Sequence, residues 1–298
     1  MSLILVTGGT GFIGSCLADK LHHLGHEVAI IGSSSEQKCN HHHFVNTLSD
    51  LRSLGKIDVC FHQAANNDTT DGDRESMFRS NCKWSLEVFS LVRLLGCRKI
   101  IYASSASVYG KLEPPYREDM ETSPLSPYSM SKDILEMLAG DFGEFFGVQT
   151  IGLRYFNVYG ARESHKGKRA SMVYQMCRKA TDGETLKLFK WGEQSRDWVS
   201  VDDVVDANVK CLDYEKSDVF NIGSGVSTSM NDIVKGIKEA TGKDIGVEYI
   251  DNPYESAYQP FTLACMDKAR REMGFIPKVG INEGISRMAE EMKKAPSF

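Results

Sequence analysis

The first half of the chain alternates short apolar runs with longer stretches in which apolar residues recur every three or four positions. Continuous apolar runs are typical of strands buried on both faces, and the longer spacing is typical of helices packed on one face. The predicted strands cover residues 3–6, 28–31, 59–61, 100–102 and 150–153, and the predicted helices cover residues 13–24, 84–95 and 132–146. This alternation predicts an α/β fold, a doubly wound parallel Rossmann sheet.

The second half of the chain is less regular. One further strand is predicted at 219–222 and helices at 230–241 and 281–292, between loops rich in Gly, Asp and Pro. We expect a smaller C-terminal α/β lobe over the carboxyl ends of the parallel strands, where open α/β sheets bind ligands. The predicted dinucleotide-binding domain comprises residues 1–163 with a return at 196–222, and the predicted substrate domain comprises residues 164–195 and 223–298.

Composition excludes several classes of function. A formal net charge of -5 argues against a basic nucleic-acid-binding surface. No apolar run approaches the roughly 20 residues of a membrane span, so we expect neither a nucleic-acid nor a membrane partner. The eight cysteines are scattered, which favours reduced thiols and a cytoplasmic location. No metal site is predicted, because the three histidines at 41–43 have no acidic or thiol companion nearby.

The first chemical motif follows the first predicted strand directly and reads Thr7-Gly8-Gly9-Thr10-Gly11-Phe12-Ile13-Gly14. In a strand-turn-helix, Gly8 makes the turn, Gly11 lets the backbone approach a pyrophosphate, and Gly14 lets the helix pack close to the strand. The free N–H groups at the start of the helix then bind the phosphates. The motif therefore predicts a bound dinucleotide.

The second motif is Tyr128-Ser129-Met130-Ser131-Lys132 at the start of a predicted helix. One helical turn brings Lys132 to the same face as Tyr128, where an ammonium is expected to lower the pKa of the phenol. The tyrosine then acts as acid or base near neutral pH. Ser105, after the fourth predicted strand, carries a hydroxyl for the reacting oxygen.

Five motifs in order resemble the extended short-chain dehydrogenase/reductase family of nucleotide-sugar epimerases and dehydratases. Within that family, the chain is most similar to the ADP-glyceromanno-heptose 6-epimerase subfamily, through residues 155–167, 187–189 and 258–262, and His165-Lys166-Gly167 is the discriminating element. The five motifs are the glycine loop at 8–14, Ser104 to Gly110, Tyr128-x-x-x-Lys132, Arg154 to Gly160 and Arg196-Asp197-Trp198-Val199.

The resemblance implies a role for each matching residue. Ser105, Tyr128, Lys132 and Lys166 are the expected catalytic residues, Lys166 being a second acid/base opposite Tyr128. The expected cofactor-binding residues are Gly8, Gly11, Phe12, Ile13, Gly14, Ser33, Leu48, Gln63, Ala64, Ala65, Asn81, Lys132 and Tyr155. The expected substrate-binding residues are Asn67, Ser105, Asn157, Arg196 and Tyr258.

Some positions depart from the family pattern. The second strand ends Ile31-Gly32-Ser33, where NAD-preferring relatives usually carry an Asp that accepts the ribose hydroxyl. NADP is therefore permitted and is the preferred prediction, with NAD as the alternative. Lys168 stands where a small Ser is expected and Gln175 where a His is expected, so the sugar accepted can differ.

The leading hypothesis is a nucleotide-sugar epimerase that works by transient oxidation through tightly bound NAD(P), with C6 of an ADP-heptose-like substrate as the reacting carbon. The alternatives are a UDP-hexose 4-epimerase, an NADP-dependent nucleotide-sugar reductase and, more remotely, a non-catalytic dinucleotide sensor. The predicted helices at 84–95 and 132–146 carry more apolar surface than one sheet contact needs, including Phe142, Phe145 and Phe146. We therefore expect a homodimer through a four-helix bundle.

Overall fold

A computed structural model describes residues 2–32, 43–68, 73–253 and 259–294. Within these residues, a seven-stranded sheet runs in the order β10-β6-β5-β4-β1-β2-β3, and every neighbouring pair is parallel. The predicted doubly wound sheet is therefore confirmed. The strands are β1 (Leu3–Thr7), β2 (Glu27–Ile31), β3 (His43–Val45), β4 (Val59–His62), β5 (Lys99–Ser105), β6 (Gln149–Tyr155), β7 (Asn157–Tyr159), β8 (Leu186–Phe189), β9 (Ser195–Ser200), β10 (Asp218–Ile222), β11 (Ser227–Ser229) and β12 (Val247–Ile250).

Helices cover both faces of the main sheet because the strands are apolar on both faces. Ile4 and Val6 of β1 pack in one core cluster, and Leu5 packs in the cluster on the other face, as the strand period of two requires. Helices α1, α6 and α8 contribute to the first cluster, and α3 and α4 contribute to the second. The helices are α1 (Phe12–His23), α2 (Arg74–Phe78), α3 (Trp84–Leu94), α4 (Pro127–Phe146), α5 (Met172–Asp182), α6 (Val201–Lys210), α7 (Met230–Thr241), α8 (Asp267–Met273) and α9 (Ile281–Lys294).

A third core cluster joins α5, α7, α9 and β8 in the C-terminal part of the chain. Two small sheets accompany it, β11-β9-β7 and β12-β8. The return of the chain to the main sheet is made by β10, whereas β9 pairs with β7 and β11. The exact division into two domains stays a prediction.

No helix within the described residues is long and apolar enough to cross a membrane.

Candidate active site

The glycine loop connects β1 to α1 at the point where the strand order reverses between β1 and β4. Gly8 has a φ of +68°, a conformation that L side chains rarely adopt. A Cβ on Gly14 would lie 2.1 Å from the carbonyl oxygen of Gly8, so only glycine lets α1 begin this close to the strand. The loop thus leaves the amides at the start of α1 open to a pyrophosphate, as the motif predicts.

A cavity of about 930 Å³ opens beside this loop, at the carboxyl ends of the parallel strands. It carries several basic side chains, and none of the described residues that line it is acidic. An anionic ligand is therefore favoured there, although the net charge of the whole chain is negative. The lining includes the predicted residues Gly8, Gly11, Phe12, Ile13, Gly14, Leu48, Gln63, Ala64, Ala65, Asn67, Ser105, Tyr128, Lys132, Tyr155 and Lys166.

Tyr128 and Lys132 lie in the first turns of α4, whose N-terminus is capped by Ser126 and starts with Pro127. The Nζ atom of Lys132 lies 5.9 Å from the centroid of the Tyr128 ring and donates a hydrogen bond of 2.7 Å to the carbonyl oxygen of Ala103. The predicted pairing on one helix face is therefore present.

The predicted effect of this pairing on Tyr128 is wrong for the protein without ligand. Burial raises the pKa of Tyr128, and a hydrogen bond with Ser105 opposes that rise without reversing it. Burial also lowers the pKa of Lys132 to about 8, while Cys82 and Glu136 oppose that shift. Burial is the largest cause of both shifts, because it disfavours the charged form of each group.

Behind Lys132, Glu136 forms a bidentate ion pair with Arg154 of β6. The Nε–Oε1 and Nη2–Oε2 distances are 2.9 and 2.7 Å, and the two side chains are 10% and 6% exposed. The Ser104 hydroxyl also donates to Glu136, and Nη1 of Arg154 donates to the Tyr109 hydroxyl at 2.8 Å. This network connects α4 to the ends of β5 and β6, the strands that carry Ser105 and Tyr155.

Two further predicted residues, Asn81 behind the cavity wall and Tyr155 in it, are held by side-chain hydrogen bonds. Asn81 is 1% exposed and does not line the cavity. Its amide accepts from the backbone N–H of Asn66 at 2.7 Å and donates to the Ser131 hydroxyl at 3.0 Å, so it fixes the loop after β4 against α4. Tyr155 donates to Oε1 of Gln63 at 2.9 Å and accepts from Asn208 at 2.8 Å.

Lys166 reaches the cavity from the 3-10 helix Ala161–Arg169. Its Nζ atom lies 4.9 Å from the centroid of the Phe12 ring and 2.8 Å from Oε2 of Glu163. The Lys166 side chain is 17% exposed, so it is not a freely solvated lysine of a charged loop. The structure thus brings Lys166 to the cavity that Tyr128 also lines.

Two of the predicted substrate residues, Asn157 and Arg196, are not among the residues that line the cavity. Asn157 donates to the carbonyl oxygen of Asp197 at 3.0 Å, and Arg196 donates to the carbonyl oxygen of Ser195 at 3.0 Å. Both belong to the small sheet β11-β9-β7. Ser33 and Tyr258 lie outside the described residues.

Sequence reasoning missed several basic residues of the cavity. Arg79, His165 and Arg169 line it. His165 and Arg169 stand in a run of charged residues, a pattern usually assigned to solvated surface. Their proximity to Lys166 was the available signal, whereas Arg79 lies in no recognisable motif.

Comparisons with known proteins bear on this site. The model of the NAD dependent epimerase/dehydratase family matches residues 4–223. The chain belongs to this family. It is 31% identical to the ADP-L-glycero-D-manno-heptose-6-epimerase of Brachyspira hyodysenteriae, over 99% of this chain and 99% of that protein. The predicted family and the prediction of a nucleotide-sugar epimerase that uses a nicotinamide dinucleotide are therefore confirmed.

Solved structures of two different epimerases resemble this family member. The UDP-glucose 4-epimerase of Thermotoga maritima, solved with UDP-glucose, has a TM-score of 0.90 and 30% identity, with 98% of this chain and 99% of that chain covered. The ADP-L-glycero-D-manno-heptose-6-epimerase of Helicobacter pylori has a TM-score of 0.87 and 33% identity, with 99% and 97% covered. The likeness supports a nucleotide-sugar substrate and leaves the reacting carbon open.

Proposed function

We propose that this protein inverts C6 of an ADP-heptose-like nucleotide-sugar by transient oxidation. The observation that carries the proposal is that Lys166 and Tyr128, from separate elements, line one cavity beside the glycine loop. Inversion at an exocyclic carbon needs acid/base assistance on two faces of a flat carbonyl intermediate. Two such groups in one cavity meet that need without rotation of the whole sugar.

The residues divide the chemistry between them. A dinucleotide bound at the glycine loop would supply the hydride acceptor and donor for the substrate carbon. Tyr128 exchanges the hydroxyl proton on one face of that carbon, and Ser105 holds the reacting oxygen. Lys166 exchanges the proton on the other face. Lys132, held by the carbonyl oxygen of Ala103, places its ammonium at the cavity wall beside Tyr128.

The glycine loop and the empty space around it fit a dinucleotide. A Cβ on Gly14 would collide with the carbonyl oxygen of Gly8, so glycine at 14 lets α1 start beside the loop with its first amides available to a pyrophosphate. Leu48, Gln63 and Ala64 line the same cavity. Tyr155 lines it as well and is held by Gln63 and Asn208. We expect the dinucleotide to stay bound through turnover.

A UDP-hexose 4-epimerase is the second candidate, favoured by the likeness to the Thermotoga maritima enzyme. A panel of nucleotide-sugars, incubated with the purified protein and followed by proton NMR, separates the two. ADP-heptose should reach an equilibrium mixture of its C6 epimers without added cofactor, while UDP-glucose and UDP-galactose stay unchanged. Interconversion of the UDP-hexoses with an inert ADP-heptose would make the 4-epimerase the correct assignment.

The two remaining hypotheses predict other outcomes of this panel. An NADP-dependent reductase would consume NADPH stoichiometrically and stop when it is exhausted. A dinucleotide sensor would bind cofactor and leave every sugar unchanged.

We further propose that the cofactor is NADP, because the end of β2 lacks a carboxylate that would repel a 2'-phosphate. A Cβ on Gly32 would lie 2.1 Å from the buried hydroxyl of Thr10, so Thr10 occupies the space that an acidic side chain at 32 would need. Gly32→Asp combined with Thr10→Ala should therefore accept NAD and weaken NADP binding by about tenfold or more, through like-charge repulsion.

Dissociation constants for both dinucleotides, measured by calorimetry on protein stripped of cofactor, check this preference. Thr10→Ala alone is the matched control and should leave the preference unchanged. A wild-type protein that binds NAD and has no affinity for NADP would refute the proposal.

We also propose a homodimer in which α3 and α4 of two copies form a four-helix bundle. Leu94, Met137 and Phe145 are 67%, 64% and 82% exposed on these two helices, more apolar surface than a monomer usually leaves in water. Phe142 was expected to add to this exposed apolar surface, but it is 5% exposed and belongs to the core. Phe145 and Phe146, the other two aromatic side chains expected at the interface, are 82% and 45% exposed on α4.

Phe145→Asp should convert the dimer to a monomer at micromolar concentration in light scattering, because a charge is costly to bury at an apolar interface. Trp191→Asp, at a side chain 63% exposed but away from α3 and α4, is the control and should stay dimeric. A wild-type protein that is monomeric at the same concentration would refute the dimer.

A further inference from the structure

Glu163 is a carboxylate without exposed surface inside an otherwise basic stretch. Oε1 accepts from the backbone N–H of Gly160 at 3.2 Å and from the hydroxyl of Ser171 at 2.7 Å. Oε2 accepts from the backbone N–H of Ser171 at 2.6 Å and from Nζ of Lys166 at 2.8 Å. All four contacts are hydrogen bonds to a charged acceptor, which are stronger than neutral ones.

These contacts join three points of the chain around Lys166. Gly160 follows β7, and Ser171 caps the N-terminus of α5 by accepting from the backbone N–H of Tyr174 at 3.1 Å. Between them the chain reverses at Gly167, whose φ is +54°. One buried carboxylate therefore fixes both ends of the segment that carries Lys166.

The position of Lys166 depends on this carboxylate. Lys168, two residues further on, is exposed, whereas Lys166 lies against the ring of Phe12 and lines the cavity. Among the described residues, Glu163 is the acidic partner of the Lys166 ammonium. A long, flexible lysine side chain needs such a partner to keep one geometry, because its rotamer freedom otherwise disperses the amine.

We propose that Glu163 is the positioning residue of Lys166. It is not among the residues that line the cavity, and it acts by holding the Lys166 ammonium at the cavity wall beside Phe12. This inference rests on the proposed function of Lys166 as the second acid/base group. It predicts that Glu163 matters for proton transfer on the Lys166 side and is dispensable on the Tyr128 side.

A double-mutant cycle on the full chain with its bound dinucleotide tests the proposal. The variants are Glu163→Gln, Lys166→Met and the two combined, with Lys179→Met, at an exposed lysine of α5, as the control. Each is assayed for epimerisation of ADP-heptose and for dismutation of a 6-aldehyde nucleotide-sugar analogue, and each is checked for dinucleotide content and melting temperature.

Glu163→Gln should lower epimerisation by about tenfold or more and leave dismutation near the wild-type rate, because Tyr128 still assists hydride transfer on its own face. Added to Lys166→Met, it should cost nothing further, because residues that act through one another are not additive. Glu163→Asp, which keeps the charge, should recover part of the lost epimerisation rate.

The outcomes distinguish the two proposals. If Lys166→Met epimerises ADP-heptose at the wild-type rate, the proposed function fails and this inference fails with it. If Lys166→Met is impaired but Glu163→Gln is not, or the two losses add, only the positioning role is overturned. If Glu163→Gln and Glu163→Asp both unfold or lose the dinucleotide, Glu163 is purely structural and the positioning role is also overturned.

Discussion

Lys166→Met is expected to lose epimerisation by about a hundredfold or more, the usual loss when a positioned acid/base group is removed. The remaining tyrosine still removes the hydroxyl proton and supports hydride transfer on its own face. The variant should therefore dismutate a 6-aldehyde nucleotide-sugar analogue, in which one aldehyde is oxidised to the carboxylate while a second is reduced to the alcohol. The products of both reactions are resolved by proton NMR.

Tyr128→Phe should show the same loss of epimerisation and a dismutation that depends on Lys166. The double variant should lose both reactions, since no acid/base group is left on either face. The substitution removes only the Tyr128 hydroxyl, which bonds to Ser105. The phenyl ring stays in the first turns of α4 and keeps its packing, so the bound dinucleotide should be retained.

Lys179→Met is the control for these variants, since Lys179 is an exposed lysine of α5 that is not among the residues lining the cavity. It should epimerise at the wild-type rate. If Lys166→Met also epimerises at the wild-type rate while Tyr128→Phe is inactive, the two-base mechanism is wrong. A single-tyrosine 4-epimerase then becomes the better assignment.

The sheet could be predicted from the sequence because its signals are local. Apolar runs such as Leu3 to Val6 and Val28 to Ile31 form strands of the buried sheet, and α1 follows the first of them directly after the glycine loop. The glycine loop needs only eight consecutive residues to define a turn. The small strands β7, β9 and β11 could not be predicted, because their partners are distant in sequence and their side chains do not alternate.

The candidate site was predictable where residues act through one motif and unpredictable where they act through distant partners. Tyr128 and Lys132 share one helical turn, so their pairing follows from spacing alone. The partnership of Glu163 with Gly160, Lys166 and Ser171 depends on how a short irregular segment folds back. The net direction of the Tyr128 pKa depends on burial, which spacing does not reveal.

The same distinction applies to Glu136. Its position one turn after Lys132 suggests a helix-surface charge, yet the structure buries it against Arg154, which is 18 residues further along the chain. Glu136 also helps to keep Lys132 charged, since it opposes the effect of burial on the pKa of Lys132. The ion pair therefore has a structural and an electrostatic consequence for the candidate site.

Arg154→Met should destabilise the protein by about 3–5 kcal/mol, because it leaves a buried carboxylate without its bidentate partner. The Ser104 hydroxyl still donates to Glu136, but one neutral donor compensates for little of the stabilisation that the guanidinium gives the carboxylate. Arg154→Met combined with Glu136→Met removes both charges and should cost much less than the single variant, since an apolar pair of similar volume replaces a buried ion pair at small cost.

Urea denaturation of wild type and variants, each saturated with dinucleotide, measures these differences. The ion pair of Arg162 with Asp19 is the control, since its side chains are 49% and 29% exposed; Arg162→Met should cost less than about 1 kcal/mol. If the double variant is as unstable as Arg154→Met alone, the loss of unfolding free energy arises from the packing of the arginine stem. The unpaired carboxylate is then not its cause. If Arg154→Met is as stable as wild type, the carboxylate reaches water and the buried ion pair does not secure the ends of β5 and β6.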